Sequence, residues 1–303
     1  MLVAAFRNLI AVASAMAATA SAAAADPDDS PSPPASAPAS QSGVVQPPGA
    51  ALVPSGQAPA WLVADLDTGQ VLAARDPHGR YHPASTIKTL LAIVVLNELD
   101  TSQKIVETAA DEVADRESIV RFIRPGATHT VYELLEALLM ISSNGAANAL
   151  AGALGGVGPA VAKMNAEAAS LGAHDTRAAT PSGLEAPGIS SSPHDLALFF
   201  RAALQNPTFA KIVGQETATV AGASGPELVN RDPLLNSYPG ILGGKTGFTD
   251  EAQYNFVGAA AQGGRRLVVA VMDNPGSYPT RQASALLDWG FQLEPGLDVG
   301  ALG

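Results

Sequence analysis

Between Ser85 and Leu99 the chain sets Ile87, Leu90, Leu91, Ile93, Val94, Val95 and Leu96 around nearly every face of one helix. A helix without a polar side has to be covered all round, so the fold needs packed layers on both sides of this segment. Lys88 sits in the same run. With no polar face to reach, its amine is expected to be buried, and burial of an ammonium depresses its pKa toward neutrality. Ser85 lies three residues earlier, on the same helix face. A serine hydroxyl becomes a nucleophile when an adjacent base takes its proton, and a buried lysine is such a base.

Strand signals flank this helical centre. Trp61 to Leu66 and Val71 to Ala74 enclose Asp67-Thr68-Gly69-Gln70, a hairpin pattern near the start. Near the end, Ile241 to Thr246, Asn255 to Ala261 and Leu267 to Met272 read as strands, the last two separated by Gln262-Gly263-Gly264-Arg265. Between them, Val131, Leu134, Leu135, Leu138 and Leu139 follow i, i+3, i+4, i+7, i+8 spacing. Further helices are expected over 146–154, 159–171 and 193–204, the last capped by Ser192, and a closing one over 280–291. The expectation is an α/β (α+β) fold in which one antiparallel sheet is built from both ends of the chain, with a helical subdomain alongside.

The 303 residues, 47% of them hydrophobic, suit one domain over 60–292 with tails. Residues 1–25 carry a single charge, Arg7, then a small apolar stretch and A-x-A sites at Ala20-Ser21-Ala22 and Ala23-Ala24-Ala25. They read as a signal peptide, which puts the protein in an exported, periplasmic or cell-wall, setting. Residues 26–59, rich in Pro, Ser, Ala and Gly, are expected to form a disordered linker, and 293–303 a short tail. Loss of Arg7 with the leader would move the formal charge from −11 to −12, which argues against nucleic acid or an anionic membrane surface as partner. No later segment suits a stable membrane anchor. The absence of cysteine excludes a thiol nucleophile and disulfides.

Two further motifs join Ser85-Thr86-Ile87-Lys88. Ser142-Ser143-Asn144 falls in the break between two helices, where a hydroxyl and an amide two residues apart can converge on one point to relay a proton and hold a substrate backbone. Asn144 also suits a helix N-cap; Ser142 and Asn144 are taken as functional and Ser143 as spacer. Lys245-Thr246-Gly247 lies on an expected strand, where Lys245 would attract a carboxylate, Thr246 would hydrogen-bond it and Gly247 would admit a substrate backbone. Which face each presents is not set by the sequence. A nucleotide-binding loop is set aside because Pro239 stands where that pattern requires glycine. No metal or other cofactor is expected: His78 and His82 lie among Pro77, Gly79 and Pro83, and His129, His174 and His194 are scattered.

The ordered set S-x-x-K, S-x-N, K-T-G resembles that of penicillin-recognising serine acyltransferases. With His82-Pro83-Ala84, Ala146-Ala147-Asn148 and Thr180-Pro181-Ser182-Gly183-Leu184 around it, the chain from Trp61 to Phe291 looks like a serine-type D-alanyl-D-alanine carboxypeptidase, a low-molecular-mass penicillin-binding protein of the actinobacterial kind. The resemblance implies a β-lactamase/transpeptidase-like fold and a peptidoglycan stem peptide ending in D-Ala-D-Ala as substrate. It also implies an acyl-enzyme on Ser85, Lys88 as base, Ser142 as proton relay, Asn144, Lys245 and Thr246 as substrate ligands, and an oxyanion hole from the N–H groups of Ser85 and Phe248. β-Lactams would acylate Ser85. The alternatives are a class A-like β-lactamase, for which Glu185 would be the deacylating base, and a non-catalytic penicillin-binding module. Two departures stand out: Gly145, where relatives often carry Asp, and the acidic Asp250-Glu251 after K-T-G in place of a basic residue. Arg231 and Arg281 are both candidates for the missing cation.

Overall fold

The computed structural model describes residues 43–219, 227–276 and 279–303. The expected signal peptide and the first part of the expected linker lie outside the described residues. The strands are β1 (Val44–Val45), β2 (Ala60–Asp65), β3 (Gln70–Arg75), β4 (Lys104–Val106), β5 (Thr128–Thr130), β6 (Thr217–Ala218), β7 (Leu228–Val229), β8 (Ile241–Thr249), β9 (Gln253–Gln262), β10 (Arg265–Asn274) and β11 (Gly300–Ala301). The helices are α1 (Lys88–Glu98), α2 (Ala109–Asp115), α3 (Val131–Met140), α4 (Asn144–Ala153), α5 (Val157–Ser170), α6 (Pro193–Ala203), α7 (Pro207–Gly214) and α8 (Pro279–Gln292).

The main sheet is antiparallel and runs β1-β3-β2-β10-β9-β8, with β11 also on β3. The two ends of the chain meet where β2 pairs with β10, Val63 opposite Val269. Both faces of the sheet are covered, and strand alternation divides the core in two. Leu62, Ala64, Val268, Ala270 and Met272 join one buried cluster with α1, α3 and α6. Trp61, Val63, Leu267, Val269 and Val271 join a second with Leu286, Leu287 and Trp289 of α8. This double burial is why β2 and β10 read as continuous apolar runs. In α1 every residue from Lys88 to Val95 is buried.

The domain is longer at both ends than composition suggests. Residues 43–59 are not simply linker: β1 pairs Val44 with Arg75, Val53 is buried, and the Trp289 indole donates to the Ala51 carbonyl at 2.8 Å. The tail 293–303 supplies β11 and the buried Leu302, whose N–H donates to the Gly69 carbonyl at 2.8 Å. β1 and β11 share the outer edge of β3, β1 against its second half and β11 against its first. A composition window averages over residues, whereas a few main-chain bonds and one buried side chain suffice to dock such a segment.

Candidate active site

The segment that carries Ser85 opens with strain. Ala84 has φ +47°, and a 3-10 turn over Ala84–Ile87 leads into α1. In a 3-10 turn residues three apart eclipse, which sets Ser85 against Lys88. Lys88 Nζ lies 2.8 Å from Ser85 Oγ and also reaches Asn144 Oδ1 at 2.6 Å, the Ser142 carbonyl at 3.0 Å and Ser142 Oγ at 3.3 Å. The side chain is fully buried. Burial, then the nearby Lys245 charge, hold its pKa well below the ordinary lysine value despite the opposing charge of Asp115.

The S-x-N segment turns sharply between α3 and α4, with Ser142 at φ +63°, a conformation uncommon for a residue with a side chain. Ser143 is more than a spacer. It is the N-cap of α4, accepting from the Ala146 N–H at 3.0 Å and donating to Asp115 at 2.6 Å. The cap expected at Asn144 is therefore displaced by one residue, which leaves Asn144 free to face Lys88.

K-T-G lies on β8, the last strand of the sheet. The buried Lys245 Nζ donates to Ser142 Oγ at 3.0 Å and to the Thr246 carbonyl at 2.8 Å. Burial, with the Arg231 charge beside it, lowers its pKa to about 7, and Asp232 opposes the shift. Asp232 is itself pushed up to about 6 by burial. A Cβ on Gly247 would meet Ser85 N at 3.0 Å, so glycine lets β8 run against the Ser85 turn. The Asn255 amide, opposite Gly247, donates to the His82 carbonyl at 2.8 Å and ties strand to turn.

Ser85, Ser142, Asn144, Thr246, Gly247 and Phe248 line one cavity of about 520 Å³, with Lys88 and Lys245 buried behind its wall. Phe248 stacks on Tyr254 at a ring separation of 4.3 Å on the same wall. All eight sequence-nominated residues thus converge. Of the two candidate cations, Arg231 lines this cavity and Arg281 lines a separate hollow. Asp250, Glu251 and Glu185 are absent from the wall. Glu251 instead faces His82 at 3.5 Å, with Glu185 beside them. His78 does not converge with His82; it bonds Asp175 at 2.8 Å. Gly183, at φ +88°, packs against the Ala84 carbonyl. Asp115 carries no sequence signal of its role, being a lone carboxylate on the short polar helix α2 with no motif around it.

The D-alanyl-D-alanine carboxypeptidase family model matches residues 47–276. The D-alanyl-D-alanine carboxypeptidase DacB2 of Mycobacterium tuberculosis is 51% identical over 265 residues, 85% of this chain and 90% of that protein. DacD of Salmonella typhimurium is 34% identical over 79% of this chain and 64% of its own length. Among solved structures, a D-alanyl-D-alanine carboxypeptidase from M. tuberculosis superposes with a TM-score of 0.81 at 49% identity, covering 85% of this chain and 99% of the other. The Streptomyces K15 DD-transpeptidase gives 0.75 at 29% identity over 80% and 100%. The convergent lysines, the two serines and the sheet that carries them therefore belong to a member of the D-alanyl-D-alanine carboxypeptidase family of serine peptidases, with the penicillin-binding fold.

Proposed function

We propose that the protein is an exported serine D,D-carboxypeptidase that removes the terminal D-Ala from peptidoglycan stem peptides. The observation that carries this reading is the 2.8 Å approach of a fully buried Lys88 amine to Ser85 Oγ. Neutral Lys88 takes the Ser85 proton as Oγ attacks the carbonyl carbon of the penultimate D-Ala. The oxyanion is held by the N–H groups of Ser85 and Phe248, an arrangement worth about 3 kcal/mol per donor. Ser142, bonded to both lysines, passes its proton to the departing D-Ala nitrogen as the peptide C–N bond breaks and recovers one from protonated Lys88, which is neutral again. Water then attacks the Ser85 ester, its proton returns through Lys88, and the shortened peptide leaves.

Asn144 accepts from Lys88 through Oδ1, which leaves its Nδ2 to donate to a substrate carbonyl. Protonated Lys245, Thr246 and Arg231 form the pole that receives the terminal carboxylate. Export follows from residues 1–25 read as a leader. β-Lactams present a strained amide to the same oxygen and acylate Ser85. The cavity wall without Glu185 favours this reading over a class A-like β-lactamase.

The test incubates the purified protein with a peptide ending in D-Ala-D-Ala and, separately, with a fluorescent penicillin. Free D-Ala and a slowly lost label are expected, and Ser85→Ala should abolish both. Rapid penicillin hydrolysis without D-Ala release supports a β-lactamase instead, a permanent label without D-Ala a binding module. Labelling that persists in Ser85→Ala removes Ser85 as nucleophile.

A further inference from the structure

Asp115 is the last residue of α2, the end of a helix where an acid is disfavoured by the macrodipole. It is nonetheless only 1% exposed. Its two oxygens accept five hydrogen bonds. Oδ1 takes Ser143 Oγ at 2.6 Å, Ser118 Oγ at 2.8 Å and the Gly145 N–H at 3.1 Å. Oδ2 takes the Phe122 N–H at 2.6 Å and the Ile123 N–H at 3.0 Å. Ser118 passes the grip on, its Oγ accepting from the Asn144 N–H at 2.7 Å. The carboxylate thus stands at the unfavourable end of its own helix and at the favourable end of α4, where Gly145 presents a first-turn N–H. Glycine at 145 makes the approach feasible, since a Cβ there would lie 2.6 Å from the Asp115 Cβ.

We propose that Asp115 is a positioning residue for catalysis: from α2 it fixes the strained Ser142-Ser143-Asn144 turn against Lys88, and through its second oxygen it holds the 117–123 segment as a wall of the same cavity. Two of its partners, Ser143 and Gly145, belong to or adjoin the turn that presents Ser142 and Asn144 to Lys88, and a third, Ser118, bonds that turn at the Asn144 N–H. The other two close a loop whose Glu117, Ser118 and Ile119 line the cavity. Burial alone pushes the Asp115 carboxyl up, and the bonds from Ser143, Ile123, Phe122 and Ser118 override it, so that the group stays ionised well into acid. The charges that act on Lys88 are Lys245 from β8 and Asp115 from α2; Arg231 and Asp232 act on Lys245.

The inference rests on the carboxypeptidase reading, and the experiment separates the two. Asp115→Asn and Ser143→Ala are made in the full chain, and acylation by fluorescent penicillin and D-Ala release are followed as functions of pH beside wild type. An asparagine replaces one acceptor with a donor that faces other donors. Acylation is expected to fall about a hundredfold in Asp115→Asn, the scale of a small misplacement of reacting groups. Its acid limb should move to lower pH, because loss of the negative charge lets the Lys88 pKa fall further. Ser143→Ala, which removes one of the five bonds and the α4 cap to the Ala146 N–H but no charge, should slow acylation less and leave the limb where it is. A folded Asp115→Asn with wild-type rates and an unmoved limb overturns the inference alone. If Asp115→Asn does not fold, a Ser143→Ala protein with wild-type acylation overturns it. Absence of both label and D-Ala release in wild type overturns the carboxypeptidase reading first and this inference with it.

Discussion

The side-chain nitrogens of Lys88 and Lys245 meet on one oxygen: Ser142 Oγ lies 3.3 Å from the first and 3.0 Å from the second. Two buried ammonium charges sharing one hydroxyl would repel, and after burial itself it is the Lys245 charge that holds the Lys88 pKa down. In the proposed mechanism the pair divides the roles, Lys88 neutral as base and Lys245 charged as the pole for a carboxylate.

This division sets the pH dependence. Lys88 must lose its proton, so kcat/KM falls as pH drops through the Lys88 pKa. Lys245 must keep its proton, so kcat/KM also falls as pH rises past about 7. A bound carboxylate raises the Lys245 pKa, and the alkaline limb of kcat should therefore lie higher than that of kcat/KM. Steady-state D-Ala release from about pH 5 to about pH 10 measures both limbs. A kcat/KM that climbs without turning over would contradict the assignment.

Arg231 is expected to act twice. Arg231→Gln removes a cation from the cavity wall and should raise KM for the peptide about tenfold, equivalent to about 1.4 kcal/mol. It also relieves the charge that lowers Lys245, so the alkaline limb should shift to higher pH. Arg281→Gln, in a separate hollow, should leave both quantities at their wild-type values.

Gly183→Ala should damage the Ser85 turn from outside. The position has φ +88°, and a methyl there would fall 1.9 Å from the Ala84 carbonyl oxygen. Backbone has to move on both counts, at a cost of about 1 to 3 kcal/mol. Denaturant midpoints and the penicillin acylation rate should fall together, because Ala84 immediately precedes Ser85.

Gly145→Asp tests whether the acid that the family resemblance leads one to expect there can be accommodated. Its Cβ would lie 2.4 Å from Ile123 Cγ1, 2.6 Å from Asp115 Cβ and 2.7 Å from the Asp111 carbonyl. It would also bury a second carboxylate beside Asp115. Overpacking alone costs about 1 to 3 kcal/mol, and the added charge makes the loss larger. Thermal unfolding should show a lower midpoint, and an unchanged midpoint would refute the packing described for α2 and α4.

At the C-terminus, Leu302→Ala should destabilise the domain by about 2 kcal/mol, the lower end for a buried leucine, since the side chain is fully buried. Urea unfolding followed by tryptophan emission measures it. Unaltered stability would return 293–303 to the status of a dispensable tail.

Much of this architecture is legible in the chain because it is encoded within single elements. The all-apolar pattern around Lys88, the 131–140 periodicity and the strand runs at each end each require burial of a whole face, and burial follows local spacing. The helix α2 is not legible that way: it has seven residues, and its buried members are Asp111 and Asp115, so it has no apolar period. The short strands β1 and β11 contribute two residues each to the sheet, too few for any pattern.

By itself the sequence determined the inventory of chemistry: a serine, two lysines and an S-x-N segment in the order of a known family, and a lysine that had to be buried. Only the tertiary structure decided how those groups act on one another. Ser142 and Lys245 come from α3's end and β8 and meet at 3.0 Å, Arg231 rather than Arg281 reaches the cavity, and Asp115 crosses from α2 to hold the turn. The physical reason is range. Periodicity reports which side of an element is dry, whereas pKa values and proton relays depend on distances between elements that are remote in the chain, and those distances exist only once the layers have packed.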